Sequence, residues 1–385
     1  MAEPFDWGLL EPAAGAGDSA SVVSDDAVLQ AMVAVERALV SAWDELDGAR
    51  TTVTFDAATL DRDALLAGAR SAGVPVVALV ELLRAQAGPA AERVHRGATS
   101  QDILDTALVL ISRDALTRAR ASLASAGASL RALVQEHRQT PFVARTLTQE
   151  AEATTLGAVM AGWLDAVSSA VAALDAVAFP VQLGGAVGTG AAFVRASGRP
   201  DAPRLLRASL AAGLGLADPG RSWHTDRSPV LAIAAAAAQV VVSAGRIGRD
   251  LALAARDGVI TPAHGGGSSA MPHKHNPVDA VLLSASGLRA GGLLSTLHAA
   301  ALSSDARPAG EWHAEWQAWR GLLRLAAESS AVLVRAAGDL VVTAPEASPA
   351  ATPAGSSTAE ATLEAAGAVV DAAIARFATV TEAHA

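Results

Sequence analysis

Pro229-Val-Leu-Ala-Ile-Ala-Ala-Ala-Ala-Ala-Gln-Val-Val-Val-Ser-Ala-Gly245 is the stretch that decides the architecture. It is almost wholly apolar and dominated by alanine, the residue with the highest helix propensity. It falls just short of the roughly 20 apolar residues that a membrane-spanning helix needs. A helix apolar on every face is buried by neighbours on all sides. The expectation is therefore a long helix in the interior of a large bundle, running on to Arg256.

Outward from it, the same pattern recurs. Leu156 to Ala178, Val278 to Leu302 and Trp312 to Val334 are further long apolar stretches. Ile103, Ala107, Leu110 and Leu116 form one stripe that Leu123 to Val134 extends before Pro141 breaks it. Val28, Met32, Val35, Leu39 and Ala42 recur at three and four, marking an amphipathic helix within Asp25 to Asp47. The chain reads as an all-α, long-helix bundle whose central core continues across subunits of a homo-oligomer. Three zones are expected: an N-terminal helical domain over 1–98, the central bundle over 99–335, and a shortened segment over 336–385. The last opens on a Pro/Ala/Ser-rich linker from Ala344 and ends in a helix over Ala359 to Ala378.

Bulk composition narrows the function. The 385 residues carry a formal net charge of −10, which argues against nucleic acid, since phosphate binding needs clustered Lys and Arg. Cysteine is absent, so neither a disulfide framework nor a thiolate metal site exists. Glu3 and Asp6 stand where a secretory signal would carry basic residues, and no membrane association is expected. The cytoplasm is the expected location.

The segment richest in chemistry is Gly265-Gly-Gly-Ser-Ser-Ala-Met-Pro-His-Lys-His-Asn-Pro277. Three glycines let backbone N–H groups approach a ligand closely. Hydroxyls at Ser268 and Ser269, the Lys274 cation and the Asn276 amide suit a substrate that bears carboxylates. A second segment, His95-Arg-Gly-Ala-Thr-Ser-Gln-Asp102, places Thr99 three positions before Asp102, the form of a capping box that opens a helix. A helix N-terminus fringed by hydroxyls is a ready anion site.

The first segment matches G-S-S-x-M-P-x-K-x-N-P at every fixed position and so resembles the fumarase/aspartase superfamily. That resemblance implies a cofactor-free, metal-free enzyme, a homotetramer with active sites shared between subunits, and a small polycarboxylate substrate. By the same resemblance Ser268 is the proton-transfer residue, with Ser269 and Met271 beside it, and Lys274 and Asn276 hold a carboxylate. Thr99 and Ser100 correspond to the T-S-x-D pair that contacts a carboxylate, with His95 and Arg96 as neighbouring candidates.

A third segment, Ala144-Arg-Thr-Leu-Thr-Gln-Glu-Ala151, resembles the region where many members read G-R-T-H-x-Q. Thr146 and Gln149 match, but Leu147 replaces the histidine that acts as general acid in adenylosuccinate lyases, and leucine transfers no proton. Trp223-His-Thr-Asp-Arg227 and Ala309-Gly-Glu-Trp-His-Ala-Glu-Trp316 resemble segments of the superfamily's 3-carboxy-cis,cis-muconate cycloisomerases, which also lack that histidine. His224 and Arg227 are the expected ligand contacts there, while Trp312, Trp316 and Trp319 are expected to pack. His264, His273 and His275 gather without a carboxylate at ligand spacing and are not read as a metal site. The resemblance spans about residues 20 to 335. It departs at His275, where arginine is commoner, and at the C-terminus. The resemblance thus implies cycloisomerisation of a carboxylated muconate; a lyase acting on another substituted succinate and a non-catalytic helical scaffold are the alternatives.

Overall fold

The computed structural model describes residues 10–13, 21–262, 266–267, 271, 274–343 and 356–382. Helix α1 (Asp25–Asp47) starts where Ser24 accepts the Ala27 N–H at 3.1 Å, and it ends at Gly48, whose φ of 65° closes the last turn. Met32, Val35, Leu39 and Ala42 of its predicted stripe are buried. Two short helices follow, α2 (Arg62–Ala72) and α3 (Val76–Ala87).

The bundle is made of α4 (Ser100–Glu136), α5 (Leu156–Asp175), α8 (Ser228–Arg256), α9 (Val278–Ala300) and α10 (Glu311–Gly338). Two small helices, α6 (Ala191–Ser197) and α7 (Ala202–Leu214), separate α5 from α8, and α7 lies on α1. Alanine explains the closeness of the α8–α9 packing, and glycine explains it further. An added Cβ at Gly245 would stand 2.8 Å from the Gly287 Cα on α9, so only two glycines admit this crossing. By length and composition α5, α8 and α9 are each apolar enough to cross a membrane. The bundle buries 67% of the apolar window of α8 and 56% of that of α5, but only 28% of that of α9. On α9, Val281 and Leu288 are 54% and 82% exposed.

Strands are few among the described residues. β1 (Pro141–Thr146) and β2 (Gln149–Thr155) form an antiparallel hairpin after α4, and β3 (Ile260–Pro262) pairs with β4 (Leu340–Val342). The last helix, α11 (Ser356–Glu382), packs on α5. Asp371 there takes both guanidinium nitrogens of Arg138, Arg376 grips Asp165, and the Phe377 ring fills the space over Gly127.

Candidate active site

The N-terminal end of α4 is built around one buried carboxylate. Asp102, fully buried, accepts the N–H groups of Gly184 (2.8 Å), Gly185 (2.9 Å) and Thr99 (3.0 Å), and Gln182 Nε2 at 3.2 Å. Burial pushes the Asp102 carboxyl up, against the three backbone N–H groups that favour its ionised form. The bond from Thr99 completes the predicted capping box. It also ties the α4 terminus to the glycine-rich turn 184–190, where Gly185 has φ of 69°.

Residues 95–99 form a strap over this terminus, and α1 holds it. Glu36 of α1 accepts the His95 N–H at 3.1 Å and contacts His95 Nδ1 at 2.6 Å. Trp43 Nε1–H donates to the Arg96 carbonyl at 2.9 Å. The Arg96 guanidinium lies over the Trp43 ring and donates to Asp47 (2.6 Å) and to the Ala196 carbonyl (2.7 Å). Arg96 thus serves the fold at this end. Ser100 opens α4, half-buried, and Thr99 Oγ1 faces the Arg307 guanidinium at 3.5 Å. Sequence reading missed Arg307, although it stands two residues before the quoted Ala309-Gly310 segment. A helix terminus, a hydroxyl and a guanidinium together suit a carboxylate.

His224 and Arg227 lie behind this terminus. The His224 backbone is pinned by Gln182 and Gln101, its ring packs on Gly188, and neither buried ring nitrogen has a partner among the described residues. Arg227, expected at the ligand, directs its donors into the protein. Nε and Nη2 bind Glu315 at 2.9 and 2.6 Å, Nη1 binds Asp105 at 2.7 Å and the His224 carbonyl at 3.1 Å, and Nη2 reaches Asp105 at 3.2 Å. Burial alone would lower its pKa, but Asp105 and Glu315 outweigh burial and raise it. Trp312 and Trp319 pack as expected, their indole N–H groups donating to Asp105 (2.9 Å) and Ser112 (3.0 Å).

The other segments lie elsewhere. Thr146 and Gln149 pair directly beside the turn of the β1–β2 hairpin, whose tip is Leu147-Thr148 with φ of 50° and 69°. Both tip residues occupy the left-handed region without glycine, at a cost of about 1–2 kcal/mol each, and Leu147 is 95% exposed. Asn276 and Gly266 exchange backbone bonds at 3.0 and 3.1 Å, closing the base of the loop that carries Lys274 and Met271 ahead of α9. Ser268 and Ser269 lie outside the described residues.

Helix lengths separate the two groups. At about 1.5 Å per residue, α4 with its 37 residues places Thr99 roughly 55 Å from the hairpin that follows its C-terminus. The 23 residues of α9 likewise put roughly 35 Å between Asn276 and the segment carrying Arg307. Arg145 of the hairpin approaches Asp257, just past α8, at 3.6 Å, so the hairpin and the Lys274 loop share one end of the bundle. His95, Thr99, Ser100, His224 and Arg307 share the other.

The chain is similar to known lyases and cycloisomerases. The family model described as Lyase matches residues 20–292. Nitrosuccinate lyase of Streptomyces davaonensis is 40% identical, covering 89% of this chain and 77% of that protein. The 3-carboxy-cis,cis-muconate cycloisomerase of Pseudomonas aeruginosa is 38% identical over 77% of this chain and 67% of its own length. Among solved structures, the 3-carboxy-cis,cis-muconate lactonizing enzyme from Pseudomonas putida superposes with a TM-score of 0.80 at 28% identity. The match covers 94% of this chain and 97% of that one.

Proposed function

Because this chain belongs to the lyase family of the fumarase/aspartase superfamily, we propose that it cyclises 3-carboxy-cis,cis-muconate by intramolecular carboxylate addition. A carboxylate oxygen of the substrate bonds to the β carbon of the double bond. The electron pair passes to the α carbon, where its charge is shared with the attached carboxylate. Ser268 then delivers its hydroxyl proton to that carbon, giving the lactone, and solvent water restores the serine proton; the reverse reaction is β-elimination. The negative charge needs preorganised donors, usually the largest single catalytic contribution. Lys274 and Asn276 supply them from one segment, Thr99, Ser100 and Arg307 from another, and Thr146 and Gln149 from the third.

The observation that carries this reading is Leu147. Its position in the superfamily pattern is that of a proton donor, yet an exposed leucine caps the hairpin there. The reaction therefore belongs to those whose leaving group departs as a stable anion. A carboxylate meets that condition, whereas an amine must be protonated as it leaves. Nitrite meets it as well. A second reading is therefore elimination of nitrite from nitrosuccinate, favoured by 40% identity over 89% of the chain.

The separation of the two groups by roughly 35–55 Å, set by helix lengths, supports sites assembled from different copies of the chain. The apolar outer face of α9 supports such assembly too.

One assay decides between the substrates. Purified protein given 3-carboxy-cis,cis-muconate should abolish the diene absorbance, and Ser268→Ala should lose about 10²–10⁴-fold of that rate, the usual weight of a positioned proton-transfer group. Nitrite release from nitrosuccinate without any loss of diene absorbance would replace the first reading by the second. Full activity in Ser268→Ala would reject the assignment of the serine.

A further inference from the structure

We propose that Glu36 of α1 is the positioning residue for His95, fixing which ring nitrogen faces ligand chemistry on the strap that carries Thr99. The inference rests on the reading of that strap as a carboxylate site.

Glu36 is wholly buried, and an ionised carboxylate in that position needs donors. Its two oxygens divide the work: Oε2 accepts the His95 N–H at 3.1 Å, and Oε1 meets Nδ1 at 2.6 Å. A carboxylate only accepts, so Nδ1 carries a proton. Nε2 is then the one nitrogen able to accept a proton from, or donate one to, a substrate. The His95 side chain is 16% exposed, so that nitrogen is not sealed in the core.

The two-point grip also accounts for the backbone. His95 has φ of 62°, which costs an L-residue about 1–2 kcal/mol and persists where surroundings over-determine it. Other anchors of the strap, Trp43 on the Arg96 carbonyl, Asp47 on Arg96 and Asp102 on the Thr99 N–H, hold its path. Glu36 alone among them sets the protonation pattern of a side chain that can move a proton.

Glu36→Gln separates positioning from mere support. Glutamine has the same shape but one acceptor and one NH₂ group. With its oxygen on the His95 N–H, the amide donates to Nδ1 and drives the proton to Nε2. The measurement is ¹⁵N NMR of histidine-labelled protein at a pH well above the ordinary imidazole value of about 6.5. The chain has nine histidines, and His95→Asn identifies the signal.

In the parent protein His95 should be protonated at Nδ1, and its Nε2 resonance should move on titration with succinate. Glu36→Gln should invert the tautomer and lower kcat about 10–100-fold with a smaller change in KM, the range seen when a histidine ligand loses its carboxylate partner. Three outcomes would overturn the proposal: a parent His95 protonated at Nε2, an Nε2 signal indifferent to succinate, or an inverted tautomer with turnover kept within about twofold. The tautomer and titration need no turnover. They still decide the role of Glu36 if neither muconate nor nitrosuccinate proves to be the substrate, or if Glu36→Gln does not fold.

Discussion

Arg227 separates what a motif announces from what a side chain does. The W-H-T-x-R pattern draws attention to it. Its partners, Asp105 and Glu315, come from 122 and 88 positions away and leave it buried in a charge cluster. Local sequence carries no signal of such distant pairing. Arg227→Met should destabilise the protein by about 3–5 kcal/mol, because it strands two buried carboxylates; urea denaturation at fixed protein concentration reads this. A loss below about 1 kcal/mol would mean that Asp105 and Glu315 do not depend on the guanidinium.

Glu328 on α10 titrates abnormally. Burial, with a contribution from Glu11, pushes its carboxyl from 4.5 up to about 7, against the pull of Arg324 and Arg289. The folded state therefore keeps a proton that the unfolded chain has lost between those values. Stability falls as pH rises from about 4.5 to about 7 and is level beyond, by at most about 3 kcal/mol at 1.36 kcal/mol per unit. Glu328→Gln keeps the neutral shape. It should match the parent near about pH 4 and exceed it near about pH 8. A parent-to-variant difference in unfolding free energy that is the same at both pH values would sink this account.

At the scale of elements the helices were legible because their signals are local. Ser24, Asp25 and Gly48 bound α1 where its periodicity starts and stops, and the five bundle helices occupy the expected stretches within a few residues. The β1–β2 hairpin was not foreseen. Its tip, Leu147-Thr148, lacks the Asn or Gly that a turn with two positive φ values usually carries. The order in which helices touch is likewise written in small residues whose partners lie far along the chain. Gly245 and Gly287 permit the α8–α9 contact, and Gly245→Val should cost about 1–3 kcal/mol by overpacking. Gly258→Ala, whose added Cβ meets nothing within 4 Å but whose φ is 71°, is the informative control, testing strain without a clash. Equal unfolding midpoints for the parent and Gly245→Val would show that α9 can shift away without loss.

The candidate site becomes intelligible only at the scale of the whole molecule. Each motif was readable in the sequence, but the sequence gives no measure of how far apart folding sets them. The long helices place the Thr99 strap at one end of the bundle and the Lys274 loop at the other. A closed oligomer in which neighbouring copies run antiparallel would bring one copy's strap to another's loop, as symmetric association allows. Thr99→Ala and Ser268→Ala proteins, each inactive alone, should then regain activity when their subunits are exchanged. If Thr99 and Ser268 of one site come from different copies, random mixing makes about one quarter of sites intact, the product of two independent halves. If both come from the same copy, every site keeps one lesion and no activity returns. Native mass spectrometry of the mixture establishes that exchange has occurred, so a silent mixture of verified hybrids would place the whole site within one chain and require its two ends to meet by a rearrangement of the bundle.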